Sequence, residues 1–360
     1  MKVCFLMRSE FKKVHGGDVV QVLNYVKYLE ELGNTCKLVG RFPKEEFDVY
    51  IIVNIDRPIE VYSYYRHIKR KNKPFFVVPI HHPIDAVSKY EIEIRGGVGG
   101  LLASIVPDFY KREKIKNISR FVKRKWYLKL IFMTMFLDYK KVIKNVIENA
   151  ECVFCISNQE KREIANRFNV EFKSKIVRNG VDITNDVVHE AEERNFDLVV
   201  VGRIEERKNQ ISIIKAMSAE RFNIVFVGAM DRKPTPYQNE FLKLVNANER
   251  LIYKGKLSQK ELFSLYSNCK VLVNASFFEV SPLVDIEAAL FGCRVVSTQF
   301  GYTSENICDV KLVNPYCIES INSVCKEALV SSDIKHHIDT KVLSWKRTSQ
   351  VIHDSITALG

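Results

Sequence analysis

Short apolar runs alternate with longer amphipathic stretches through most of the chain. KVCFLM, CKLVG, DVYIIVN and FFVVPI come first, separated by stretches such as DVVQVLNYVKYLEELG. In that stretch Val19, Val22, Leu23, Val26, Leu29 and Leu32 fall on one side of a helix, and Gly33 ends it. Strand-like runs separated by helices predict a parallel sheet covered by helices on both faces.

The alternation breaks between about residues 85 and 145, where the glycine-rich RGGVGG and a basic segment fall. It resumes with ECVFCIS and KIVRNGVD. Residues 184–196, TNDVVHEAEERNF, are polar and lack an apolar period, so they mark a domain boundary. A second series follows: FDLVVVG, FNIVFVG, RLIYKG, KVLVNAS, RVVST and VKLVN. At 360 residues the chain also exceeds the size at which one core usually stops growing. The expected organisation is an N-terminal Rossmann-like domain over 1–186 with a basic insert at about 84–150, and a second such domain over 187–335. Residues 336–360 form a last helix expected to return to the first domain. Such halves bind ligands at the carboxyl ends of their strands.

Charge changes the picture in one place. Residues 111–144 hold 12 Lys and Arg against two acids, Glu113 and Asp138, a net of +10 out of +12 for the whole chain. Ile118, Phe121, Val122, Trp126, Leu130, Met133, Phe136 and Leu137 recur within this segment at helical steps. Two readings stay open: a basic amphipathic helix that docks on anionic lipid through Lys123, Arg124, Lys125 and Trp126, or an apolar stripe packed on the protein with solvated charges outside. Nucleic acid suits a bulky apolar face less well and is not expected as a partner. The most apolar run, LIFMTMFL, is too short to span a bilayer, and the opening MKVCFLM is too short for a secretory signal. Nine irregularly spaced cysteines, with only Cys152 and Cys155 close together, favour reduced thiols and a cytoplasmic setting.

Four strand ends carry candidate chemistry. FKKVHGGD places Gly16 and Gly17 before a helix, where backbone amides can approach a phosphate. VVPIHHP sets His81 and His82 directly after a strand. VVGRIEERKNQ sets Arg203 and Lys208 five apart across a strand-to-helix loop, suited to gripping a diphosphate; local pairing with Glu205 and Glu206 is the plainer alternative. FFEVSPLVDIEAALFGC places Glu279 after a strand and Glu287 one turn into the next helix. No Asp-x-Asp metal motif is found; Asp285 and Glu287 are two apart on a helix and point to different sides.

Taken in order, these motifs resemble family 4 glycosyltransferases, retaining enzymes of the GT-B fold with two Rossmann-like domains whose parallel sheets face a central cleft. The resemblance rests on Glu279-x7-Glu287 followed by Ala288, on GRIEERKN, on VRNGVD with Arg178 in place of the usual proline, and on GCRVVSTQFGYTSE. It implies a metal-independent transfer of a sugar from a nucleotide-diphosphate donor to a hydroxyl of a glycan or lipid-linked acceptor, in cell-surface polysaccharide synthesis, at the inner face of the membrane. No cofactor is implied beyond the nucleotide sugar as co-substrate. By the same resemblance Glu279 accepts hydrogen bonds from the donor sugar and Glu287 holds the ribose. Arg203 and Lys208 neutralise the leaving diphosphate, His81 lies near the donor sugar, and Gly16, Gly17 and the Val280, Ser281, Pro282 and Leu283 stretch line the donor. Two other readings compete: a nucleotide-sugar epimerase or hydrolase of the same fold, and a non-catalytic basic scaffold that binds lipid or nucleic acid.

Overall fold

A computed structural model describes residues 1–13, 16–123, 131–132, 134, 136–182, 194–331 and 343–359. They form two compact units, Met1–Gly180 with Lys341–Gly360, and Val181–Thr340. The polar stretch read as the linker lies largely outside the described residues.

In the first unit, β1 (Lys2–Leu6), β2 (Thr35–Val39), β3 (Val49–Val53), β4 (Phe75–Val78), β5 (Val153–Cys155) and β6 (Ser174–Ile176) form one sheet in the order β2-β1-β3-β4-β5-β6. Every pairing is parallel, with Val3 opposite Val49 and Tyr50 opposite Phe75. Central strand β3 is buried along its whole length, as expected of a sheet covered on both faces. Helices α1 (Gly17–Glu31), α2 (Pro58–Lys71), α3 (Ile84–Glu93), α4 (Gly97–Ile105), α5 (Phe109–Lys123), α6 (Tyr139–Glu148) and α7 (Asn158–Phe168) belong to this unit.

In the second unit, β7 (Phe196–Val201), β8 (Ile224–Val227), β9 (Leu251–Tyr253), β10 (Cys269–Asn274), β11 (Arg294–Thr298) and β12 (Lys311–Val313) form a parallel sheet ordered β12-β11-β10-β7-β8-β9. Counted from β7 this is the doubly wound Rossmann order, and it reverses between β7 and β10. Its helices are α8 (Gln210–Ala216), α9 (Pro236–Asn246), α10 (Gln259–Ser267), α11 (Leu283–Leu290) and α12 (Ile318–Val330). Leu198, Phe226, Phe241, Val271 and Val296 are core residues of this unit.

The final helix, α13 (Trp345–Thr357), packs against α1 in the first unit. The Trp345 ring meets Tyr25 edge-on at 5.8 Å, and Asn34 Nδ2 lies 3.0 Å from His353 Nδ1. The face read for α1 holds at Val19, Val22 and Leu29, which are buried, and fails at Leu23, which is 49% exposed, while Gln21 and Tyr25 are buried as well. Tyr25 turns inward because α13 covers that side. On α5 Ile118 is exposed and so does not pack on the protein, and the buried side of the helix carries Phe109, Tyr110, Arg112, Glu113 and Asn117.

Candidate functional site

In the second unit the loops after β7 and β10 emerge on either side of the point where strand order reverses. That is where a doubly wound sheet leaves a crevice, because neighbouring loops diverge there. The first loop carries Arg203, Arg207 and Lys208, and the second carries Glu279.

The β7 loop is bolted in place by residues that the sequence patterns did not single out. Asn209 adopts the left-handed region (φ 60°), and its buried Nδ2 donates to the carbonyls of Ala275 (3.1 Å) and Pro315 (2.9 Å). Gln210 Nε2 donates to Arg203 O at 2.8 Å, and Gln238 Nε2 donates to Ile204 O at 2.8 Å. Asn and Gln suit this work because one amide can satisfy buried backbone acceptors.

Lys208 Nζ lies 2.5 Å from Glu279 Oε1, and Arg207 Nη1 lies 3.1 Å from the same oxygen. Arg207 also donates to Phe278 O, pairs with Glu205 at 3.1 Å, and sits over the Phe278 ring. Burial alone would push the Glu279 carboxyl up, but the two cations outweigh it and hold the pKa down to about 2. The site therefore presents a fixed carboxylate at neutral pH. Arg203 is half-exposed and reaches Asp231 at 3.2 Å and Glu205 at 4.0 Å. The local pairing read from the sequence thus holds for Arg203, whereas Lys208 turns to Glu279.

After Glu279 the chain is tied to the β11 loop by Glu279 N–H to Phe300 O (2.9 Å) and Tyr302 N–H to Val280 O (2.8 Å). Val280 and Ser281 are buried, and Ser281 Oγ accepts from Asn306 Nδ2 at 3.1 Å. Pro282 has no N–H to offer a ligand; it stands at the N-cap of α11, and Leu283 begins the helix.

The two acids of α11 do point apart. Asp285 is buried and accepts from Asn274 Nδ2 (3.0 Å), Ser297 Oγ (2.6 Å) and Thr303 Oγ1 (2.9 Å), which knits β10, β11 and the following loop together. Desolvation still lifts its pKa to about 6. Glu287 is partly exposed, and the Tyr266 hydroxyl, at 3.5 Å, is the hydrogen-bond partner seen at its carboxyl. Desolvation raises Glu287 to about 7. A carboxyl with so little local hydrogen bonding suits a ligand that brings its own hydroxyls.

The first unit gathers a second set at its strand ends. Asp56, after β3, accepts from both histidines: His81 Nδ1 is 2.5 Å from Oδ1, and His82 Nδ1 is 2.8 Å from Oδ2. The His82 amide adds a 3.0 Å bond to Asp56. His81 is fully buried beside the Phe168 ring, whereas His82 is partly exposed. Burial opposes the charged His81 ring, yet Asp56 raises its pKa on balance; burial likewise opposes ionised Asp56, and the histidines hold it well below the usual carboxylate range. Buried Glu160 accepts from the amides of His81 and Ile156, both at 2.7 Å. Asp56 meets its histidines 25 and 26 residues on, so no local signal reveals it; Glu160 stands three residues after the Ser157 N-cap of α7, a spacing that marks a helix start but not the bond to His81, 79 residues away.

Gly16 caps α1 and Gly17 opens it. Arg8 makes a two-pronged pair with Asp18 in the first turn (2.5 and 3.2 Å). Of the residues read as membrane-facing, Lys123 ends α5, while Arg124, Lys125 and Trp126 lie outside the described residues. Among the described residues no cluster of three His, Cys, Asp or Glu is placed to hold a metal ion, and no helix is long and apolar enough to cross a membrane.

Residues 182–341 match the family described as Glycosyl transferases group 1. No curated protein matches the chain in sequence. Among solved structures it is similar to sucrose-phosphate synthase from Thermosynechococcus elongatus, with 14% identity, 99% of this chain and 94% of that one covered, and a TM-score of 0.65. It is also similar to HepE of Anabaena, solved with UDP and glucose (12% identity, 100% and 97% covered, TM-score 0.61). The lipopolysaccharide outer core galactosyltransferase WaaB gives 14% identity, full coverage of both chains and a TM-score of 0.60. At these identities the likeness shows the fold: two Rossmann-like domains of the GT-B type.

Proposed function

We propose that the protein is a glycosyltransferase that moves a sugar from a nucleotide-diphosphate donor to a hydroxyl of an acceptor, with the donor held by the second unit. The observation that carries this reading is the Lys208–Glu279 pair at the switch point of the sheet, inside the span that matches group 1 glycosyl transferases.

On this reading Arg203 and Lys208 meet the diphosphate. Developing negative charge on a leaving group is best met by cations already in position, because no reorganisation is then needed at the moment of reaction. Glu279 takes hydrogen bonds from the donor sugar and Glu287 from the ribose, each carboxylate suiting a vicinal diol. Arg207, held against Glu279, fixes that carboxylate. For His81 and the Gly16–Gly17 turn a role toward the donor rests on the family 4 resemblance alone. The reaction retains anomeric configuration and needs no divalent cation, as the family 4 resemblance implies.

The acceptor is a glycan or lipid-linked oligosaccharide of surface polysaccharide synthesis, reached by a cytoplasmic enzyme resting on the inner face of the membrane. The basic 111–144 segment supports that placement. The test is release of nucleoside diphosphate from a panel of nucleotide sugars, with and without acceptor extracts, in EDTA. Release that depends on acceptor, with the product anomer matching the donor by NMR, supports the reading. Donor consumption without acceptor points to an epimerase or hydrolase instead.

A further inference from the structure

Helix α4 is built inside out. Its inward side is Gly100 and Ala103, both buried. Val98, Leu101 and Ile105 share the opposite face and are 85%, 64% and 70% exposed. The helix contains no charged residue. A surface helix normally turns polar residues outward. Single exposed apolar residues are ordinary, but three on one face mark an interaction surface.

That face is firmly mounted. Gly100 packs so close to the Arg95 carbonyl that a Cβ would collide with it. Glu91, at the end of α3, takes Arg95 (2.8 Å), Arg112 (3.0 Å) and Lys116 (2.6 Å) at once. Arg112 is fully buried and also donates to the carbonyls of Val106 (2.9 Å) and Pro107 (2.5 Å) and to Ser88 Oγ (3.0 Å). A buried guanidinium is tolerated only when its donors are satisfied, and here they join α3, α5 and the chain leaving α4. The apolar face is thus presented by a braced helix.

We propose that Val98, Leu101 and Ile105 insert into the boundary between headgroups and acyl chains of an anionic bilayer. Charge selects this occupant. Beside the exposed Lys111, α5 presents Ile115 and Ile118 at 40% and 57% exposure, and it opens the segment that carries net +10. Apolar insertion combined with basic attraction is the pairing that holds peripheral proteins on anionic lipid. A second copy of this chain would bring the same positive segment against its own. The proposal builds on the membrane placement above and names the surface that makes it.

The experiment is flotation of the full chain with vesicles of phosphatidylcholine alone or with 30% phosphatidylglycerol, for the native protein and V98S/L101S/I105S. All three positions are exposed, so an unchanged melting temperature is expected. The native chain floats with anionic vesicles, and the triple variant loses at least tenfold in partitioning. In a second variant, Leu101→Trp, vesicles with brominated acyl chains quench the added fluorescence. Equal flotation of native and triple variant, no flotation of either, or an unquenched tryptophan overturns the proposal, as does a concentration-dependent dimer that the triple variant abolishes. Nucleoside diphosphate binding is measured on the same samples. Binding that persists while flotation fails removes only this surface, whereas its absence removes the transferase reading.

Discussion

Lys208 Nζ and Glu279 Oε1 are 2.5 Å apart although 71 residues separate them, and the pair joins the loops of two adjacent strands. With Arg207 it keeps Glu279 ionised despite burial. A carboxylate whose folded pKa lies below its ordinary 4.5 stabilises the fold above that pH, and the contribution fades as pH falls toward about 2. Glu279→Gln should therefore cost on the order of 2–3 kcal/mol at pH 7. Denaturant titrations should show the gap to the native protein closing below pH 4.5.

Glu287 has the opposite signature. Its folded pKa of about 7 exceeds its ordinary 4.5, so the folded state holds a proton that the unfolded state has released, and stability declines as pH rises between those values. Glu287→Gln should raise the melting temperature at pH 8 and leave it nearly unchanged at pH 4. If the carboxylate holds a ribose diol, affinity for a nucleoside diphosphate should rise with pH through about 7 in the native chain and stay flat in the variant. Calorimetric titrations at pH 6, 7 and 8 decide this.

The Asp56 cluster makes a third prediction. Because His81 is held above its ordinary 6.5, its pairing stabilises the fold fully below that pH and is lost as pH rises through the raised value. Asp56 stays ionised throughout this window, since its own pKa is depressed. Asp56→Asn should then destabilise the protein by about 1–3 kcal/mol near pH 6, since a buried imidazolium loses its counter-charge. The deficit should shrink at pH 9.

Two glycines separate ligand approach from architecture. A Cβ at Gly17 meets nothing within 4 Å, whereas one at Gly180 would collide with the Trp345 backbone at the start of α13. Gly17→Ala should leave stability unchanged or raise it by about 0.4–1 kcal/mol. If its backbone approaches the donor, the same change should weaken nucleotide-sugar binding. Gly180→Ala should instead cost about 1–3 kcal/mol through overpacking. Thermal melts alongside binding isotherms distinguish the two effects.

The twelve strands among the described residues were legible in the sequence because they coincide with short apolar runs between helical periods, a signal that needs no knowledge of partners. Glu279 and Glu287 stood out in the sequence through their resemblance to the family 4 signature, and the fold places Glu279 after β10 and Glu287 on α11. What stayed hidden depends on contacts between distant segments. Arg207 carries no signal of its own until the fold sets it against Glu279, and Asn209 gave no sign that it braces Ala275 and Pro315. Asp56 was silent for the same reason, as was the reach of Glu160 to His81. The α1 face was legible at Val19, Val22 and Leu29, but periodicity shows which side of a helix is apolar, not that α13 covers a second side and buries Tyr25. On α5 the chain buries Arg112 and Glu113, which an apolar pattern cannot announce.

The central claim, that the second unit grips a nucleoside diphosphate with Arg203 and Lys208, is tested most directly by calorimetric titration of UDP, GDP, ADP, CDP and dTDP into the native chain and Arg203→Ala. Arg203 is half-exposed and its pair with Asp231 lies at the surface, so its removal should cost less than about 1 kcal/mol of stability. The account predicts one diphosphate bound selectively by the native chain and about 10–100-fold more weakly by the variant, the worth of a charge-assisted hydrogen bond. No binding of any diphosphate, or equal affinity for both proteins, would contradict it.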